Sequence, residues 1–322
     1  MITIGAGLIY QSIGEANDAR QHPPPGELVD VGSYRMHLYC TGEGSPTVVM
    51  DAGLGAWSLD WGWVQPEVAQ FTRVCTFDRA RYGWSDPGPR PRTSQQNVIE
   101  LDALLANGAI PGPYVLVDHS FGGMNVRLYA SQYPDEVAGI VLVDSSHEDL
   151  NASLPPEIRA EQERGNAGET RLFRSLVILS RLGVLRLAHQ FVGDEGLTFL
   201  DDYSASTRSD CVATGFLNTQ FYRATLDEQV ALEQSNVQLR ASDPLPNVPY
   251  IVLARGLGDS SLSSPGVEER AEQVWRQLQE DLAGRIPGSV LVVAEQSNYL
   301  ILMRQPELVV DAIRQVVEMQ DE

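Results

Sequence analysis

The chain contains no lysine: all 23 of its basic residues are arginine. Schiff-base chemistry and a phosphate-loop lysine are therefore excluded. Positive charge is scarce as well, with 43 acidic residues in 322 and a formal net charge of −20. That balance argues against nucleic acid or an anionic membrane as a partner and for a soluble, self-repelling surface. Cysteine is limited to Cys40, Cys75 and Cys211, an odd number without metal-ligand spacing. No structural disulfide is expected, and Cys75 reads as a small buried hydrophobe in a strand. The five histidines are scattered, with no paired ligand motif, so neither zinc nor any other cofactor is expected. Long apolar runs are missing too. The apolar start, residues 1–10, is well short of the ~20 residues a spanning helix needs. It reads as a frayed or surface-packed segment, or as the stump of an anchor. A soluble, cytoplasmic protein with no strong membrane signal is expected.

What is present is a regular alternation. Pro23-Pro24-Pro25-Gly26 is a hard break, and the compact part should begin after it. Strands are expected at 27–31 and 34–39 (a hairpin), 47–50, 73–77, 114–117, 137–143, 250–254 and 289–293. Helices are expected at 61–70, 94–106, 124–132, 267–282 and 305–319. Alternation of this kind means an α/β fold with a mostly parallel, twisted sheet and helices on both faces. From about residue 147 to 242 strands stop and the pattern turns polar and helical. The expected organisation is an N-terminal extension (1–25), a first core segment (26–146), a helical cap (147–245) and a second core segment (246–322).

Residues 115–123 carry the chemistry. An apolar strand runs into Asp118-His119-Ser120-Phe121-Gly122-Gly123. This is the form of a nucleophile elbow, in which a strained strand-to-helix turn exposes a serine. The plain alternative is an N-cap serine. Gly122 and Gly123, which permit close helix–strand packing, favour the elbow. A serine needs a neighbouring base before it attacks.

With three further segments in the same order, this pattern resembles the α/β-hydrolase superfamily, in particular capped bacterial hydrolases of the esterase and epoxide-hydrolase type. Those segments are Asp51-Ala52-Gly53-Leu54-Gly55, then Asp78-Arg79-Ala80-Arg81-Tyr82-Gly83-Trp84-Ser85, and finally Val292-Val293-Ala294-Glu295 followed by Gln305-Pro306-Glu307. The resemblance covers nearly everything after Pro25. It implies an α/β-hydrolase fold, with Ser120 as nucleophile and the Leu54 and Phe121 N–H groups as oxyanion donors beside Gly53. It offers Asp259 as the acid, with Asp144 in reserve.

Three residues depart from the family pattern. Tyr299 stands where the resemblance expects the histidine base, and a phenol is a poor base at neutral pH. Asp118 replaces the first elbow glycine, and its carboxylate should point toward the same region as Ser120. Arg81 replaces a loop glycine and is placed to pair with Asp118. His147 is the reserve base; its alternative is a loop histidine bonded to backbone. His119 is expected on the opposite face from Ser120, and His22, His37 and His189 carry no assignment. Trp57, with Trp61, Trp63 and Trp84, either lines an apolar pocket or packs the core. The expected activity is slow or altered hydrolysis of a small apolar ester. The alternatives are a non-catalytic binder of a small apolar ligand, or a lyase or isomerase using Asp118, Tyr299 or His147.

Overall fold

The computed structural model describes residues 2–258 and 265–320. Eight strands form one sheet: β1 (Glu27–Asp30), β2 (Arg35–Thr41), β3 (Thr47–Asp51), β4 (Val74–Phe77), β5 (Tyr114–His119), β6 (Val137–Val143), β7 (Tyr250–Arg255) and β8 (Val290–Ala294). Their order is β1-β2-β4-β3-β5-β6-β7-β8. The hairpin β1–β2 and the β2–β4 pair are antiparallel, and every pairing from β4 to β8 is parallel.

The central strands explain the parallel pairing. β3, β5 and β6 are buried along their whole length, as a strand covered on both faces must be. One apolar layer packs helices Ser94–Asn107 and Gly122–Gln132 against one face of the sheet. The other packs Pro306–Glu318 against the opposite face. Thr93 caps the first of these helices by accepting the Gln96 N–H at 3.3 Å. The helix expected at 61–70 is instead two single turns, Ser58–Trp61 and Gln65–Val68. Gly62 and Pro66 interrupt the run.

Between β6 and β7 the described residues hold helices and no strand; Pro156–Arg181 and Thr219–Arg240 are the longest and lie against each other. Residues 2–21, set aside as an extension, form the helix Ile2–Gln21. It lies on this helical insertion, where Gln11 Nε2 donates to the Leu217 carbonyl (2.7 Å) and Asp18 pairs with Arg186 (2.6 Å). Among the described residues, no single helix is long and apolar enough to cross a membrane.

The expectation of no disulfide is corrected. Cys40 on β2 and Cys75 on β4 are bonded, while Cys211 is free and buried. The two lie directly opposite in the antiparallel register. Spacing along the chain could not reveal this, because β4 pairs with β2 from the far side of β3 in sequence.

Candidate active site

The site is assembled at the C-terminal ends of β3, β5, β6 and β8. Strand β5 ends at His119, and the next residue, Ser120, takes a left-handed backbone conformation with φ +54°. That region is costly for a residue with a Cβ and marks a position held by its surroundings. The Ser120 N–H donates to the Val143 carbonyl (3.2 Å), and its carbonyl accepts from Ser146 N–H (2.9 Å) and Gly123 N–H (3.0 Å). The glycines that follow are sterically required. A Cβ on Gly122 would meet the Asp51 carbonyl oxygen at 2.6 Å, and one on Gly123 would overlap Ser145 Oγ. Ser120 is 8% exposed, and its Oγ lies 3.4 Å from Ser146 Oγ.

Facing Ser120 is the loop after β3. A Cβ at Gly53 would lie 3.5 Å from Ser120 Cβ, 3.3 Å from Tyr299 Oη and 3.1 Å from His119 Nδ1. Gly53, Ser120, Tyr299 and His119 thus share one small space. Neither the Leu54 nor the Phe121 N–H is taken up by an acceptor among the described residues. Two unclaimed donors flanking a serine can receive charge that develops on a carbonyl oxygen.

The loop is held by a buried network that sequence reasoning missed. Arg79 donates to the Ala52 and Gly53 carbonyls (2.6 and 2.7 Å), to Asp51 (2.6 Å) and to both Glu228 oxygens (2.7 and 3.0 Å). Tyr82 Oη accepts the Gly55 N–H (3.1 Å) and donates to Glu228 (2.8 Å). Glu228 lies within the helical insertion, some 150 positions beyond Arg79, and no local signal marks it.

Tyr299, the residue expected at the base position, brings its hydroxyl to the same face of Gly53 as Ser120; burial pushes its phenol well above the ordinary value. It is therefore protonated at neutral pH. His119 corrects the expected placement on the opposite face. Its ring lies 4.5 Å from the Tyr299 ring, and its Nε2 is 3.0 Å from the Tyr299 carbonyl. Burial lowers its pKa, against the raising effects of that bond and of Asp144.

Other expected contacts are met by different partners. Arg81 and Asp118 do not pair. Arg81 donates to Gln220 (2.9 Å) and lies 3.9 Å from Asp227. Asp118 is fully buried under helix Gly122–Gln132, turned toward Gly123 and Ser145 rather than toward an open pocket. Burial drives its pKa well above the usual carboxylate range, against the opposing effect of Arg127. His147, the reserve base, is held by other groups. Its Nδ1 accepts the Asp149 N–H (3.0 Å) and its Nε2 meets Asp281 (3.0 Å). Asp144 accepts from Arg255 (2.7 Å) and Trp275 Nε1 (2.9 Å). Trp57 packs into the insertion, against Phe221 at 5.3 Å and against Gly215. Asp259 lies outside the described residues. His147, Glu148 and Asp149 bring ligand atoms together, yet Arg127, Arg285 and Arg240 occupy the two carboxylates.

The sequence profile described as "alpha/beta hydrolase fold" matches residues 46–182, a stretch that runs from β3 through the Ser120 turn into the insertion. The chain has the α/β-hydrolase fold.

Among curated relatives, an AB hydrolase superfamily protein of Gibberella zeae is 23% identical over 291 residues, 85% of this chain and 87% of its own length. A 2-hydroxymuconate semialdehyde hydrolase of a Pseudomonas species is 30% identical over 141 residues, covering 40% of this chain and 47% of its own length. Four further curated relatives are matched over only 15% to 49% of their own lengths. Among solved structures, an esterase from Thermogutta terrifontis shares the fold with a TM-score of 0.60, at 18% identity, covering 91% of this chain and 97% of that one.

Proposed function

We propose that this chain is a serine hydrolase of slow turnover that acts on small, apolar, ester-like substrates. Ser120 is the nucleophile, and the Leu54 and Phe121 N–H groups receive the oxyanion. Tyr299 fills the base position, and Asp259 is the acid that the resemblance offers. The observation that carries this reading is the left-handed turn at Ser120, with φ +54°, between two backbone donors that have no acceptor among the described residues. Strain of that kind is retained where a side chain must be presented.

Turnover is slow because a buried, protonated phenol removes a proton poorly. A site that lacks one triad member still keeps roughly 10³–10⁴-fold acceleration over water through its oxyanion donors and binding. The restricted exposure of Ser120 favours a small acyl group.

The test is turnover of a chromogenic aryl ester by the full chain and by two variants. Ser120→Ala abolishes turnover and labelling by a serine-directed phosphonate. Tyr299→His raises turnover by about 10²-fold or more, the usual worth of a positioned base. Turnover that survives Ser120→Ala would sink the proposal, and activity arising only in Tyr299→His would make the chain a non-catalytic binder.

A further inference from the structure

His119 is a buried ring with one nitrogen committed and one left over. The partner of Nε2 is the Tyr299 carbonyl, which can only accept, so Nε2 carries the hydrogen. In the neutral ring the lone pair is then on Nδ1. Nδ1 is buried, and no described group hydrogen-bonds to it. It lies beside the open Cα face of Gly53, the face that Tyr299 Oη and Ser120 Cβ also line. An acceptor without a donor, next to a phenol whose other neighbour is the nucleophile, is unusual for a site that lacks its base.

On the reading of Ser120 as nucleophile, we infer that His119 is the proton acceptor for Ser120, acting through the hydroxyl of Tyr299. As Ser120 Oγ bonds to the acyl carbon, its proton passes to Tyr299 Oη, and the Tyr299 proton passes to His119 Nδ1. Tyr299 is unchanged by the exchange, and the positive charge ends on His119. When the bond to the leaving oxygen breaks, the imidazolium proton returns through Tyr299 to that oxygen. Attack by water on the acyl group runs the same relay. His119 touches no reacting atom, so its role is a positioning one, and Tyr299 is the group in contact with the nucleophile.

The surroundings suit this exchange. The charged and titratable groups that bear on His119 are Tyr299, on the loop after β8, and Asp144, at the end of β6. Asp144 favours the imidazolium, tempered by its pairing with Arg255. Asp60 and Arg255 act on Tyr299 from the loop after β3 and from β7. Burial holds His119 neutral at neutral pH, ready to accept. The present geometry leaves a gap on both sides of the Tyr299 hydroxyl, toward Ser120 Oγ and toward His119 Nδ1, and such contacts tighten when substrate fills the site.

The experiment follows the rate at which an alkyl p-nitrophenyl phosphonate labels Ser120, from about pH 4 to 9. The Ser120–phosphorus bond forms as nitrophenolate leaves, so a slow enzyme is still readable. The unaltered protein should show an acid limb with its midpoint below the ordinary imidazole value of about 6.5. His119→Gln and Tyr299→Phe should each lower the plateau at least about tenfold and erase the limb. The double variant should be no slower than either single one, because both interrupt one path. A limb that persists in His119→Gln, or losses that multiply in the double variant, overturns the relay while leaving Ser120 as nucleophile. No labelling of the unaltered protein overturns the relay together with the proposed function. If the variants do not fold, nitrogen-15 histidine NMR of the unaltered chain decides. Neutral His119 in the Nε2–H tautomer supports the relay, and the Nδ1–H tautomer overturns it.

Discussion

Arg79 and Glu228 form a buried bidentate pair, with Nε–Oε1 at 2.7 Å and Nη2–Oε2 at 3.0 Å. Through Arg79, a helix of the insertion fixes the two carbonyls that precede Leu54. The loop after β3 and the insertion are therefore one mechanical unit.

Glu228→Gln leaves the Arg79 charge buried with only Asp51 opposite it. Breaking one side of such a pair costs about 3–5 kcal/mol. Urea unfolding of the variant should show a loss in that range. Phosphonate labelling of Ser120 should slow as well, since the loop carbonyls lose their anchor. A variant as stable as the parent would mean that Asp51 alone suffices.

Arg81 shows what the missing loop glycine costs. It holds φ +78°, two residues before Gly83 at +48°. Left-handed backbone costs a residue with a Cβ roughly 1–2 kcal/mol, against which glycine loses about 0.5–1 kcal/mol in chain entropy. The half-buried contacts to Gln220 and Asp227 are weak compensation. Arg81→Gly should raise stability by up to about 1 kcal/mol in chemical denaturation. A clear loss would show that the Arg81 contacts outweigh the strain.

Asp118 gives a pH signature of definite sign. Its folded pKa is raised, so the folded chain keeps a proton that the unfolded chain releases above about pH 4. Its contribution to stability is complete below that pH and is lost as pH rises toward the folded value. Asp118→Asn removes the titration. The stability of Asp118→Asn relative to the parent should therefore climb with pH, by about 1.4 kcal/mol per unit through that window. A difference that is flat from about pH 5 to 8 would mean that the carboxyl finds a compensating charge.

The Cys40–Cys75 bond is checked by counting thiols. Denatured without reductant, the chain should present only Cys211 to a thiol reagent, and after reduction all three cysteines. The bond closes a loop of 35 residues. Opening it should lower stability by about 4 kcal/mol. Three reactive thiols before reduction would exclude the bond.

How much was legible varied with the range of the interaction. Each strand of the sheet was visible because strands and their flanking turns are local patterns, and boundaries moved by only one or two residues, as at His119 and Arg255. The Ser120 turn was legible for the same reason: its glycines lie within three residues, and the contacts that demand them are the Asp51 carbonyl and Ser145. The two short turns around Gly62 were misread as one helix because the apolar spacing outweighed two breakers.

By itself the sequence determined that the chain alternates strand and helix, that a serine crowns the turn after β5, and that a tyrosine stands where a histidine is expected. Tertiary structure alone decided which partners those residues meet. Cys75 reaches Cys40 only through strand order, and Glu228 reaches Arg79 only when the insertion folds over the sheet. His119 shares a space with Tyr299 only because the chain after β8 returns beside β5. Strand and turn propensities act over a few bonds. Pairings such as these depend on the packing of distant segments, which no short stretch of sequence encodes.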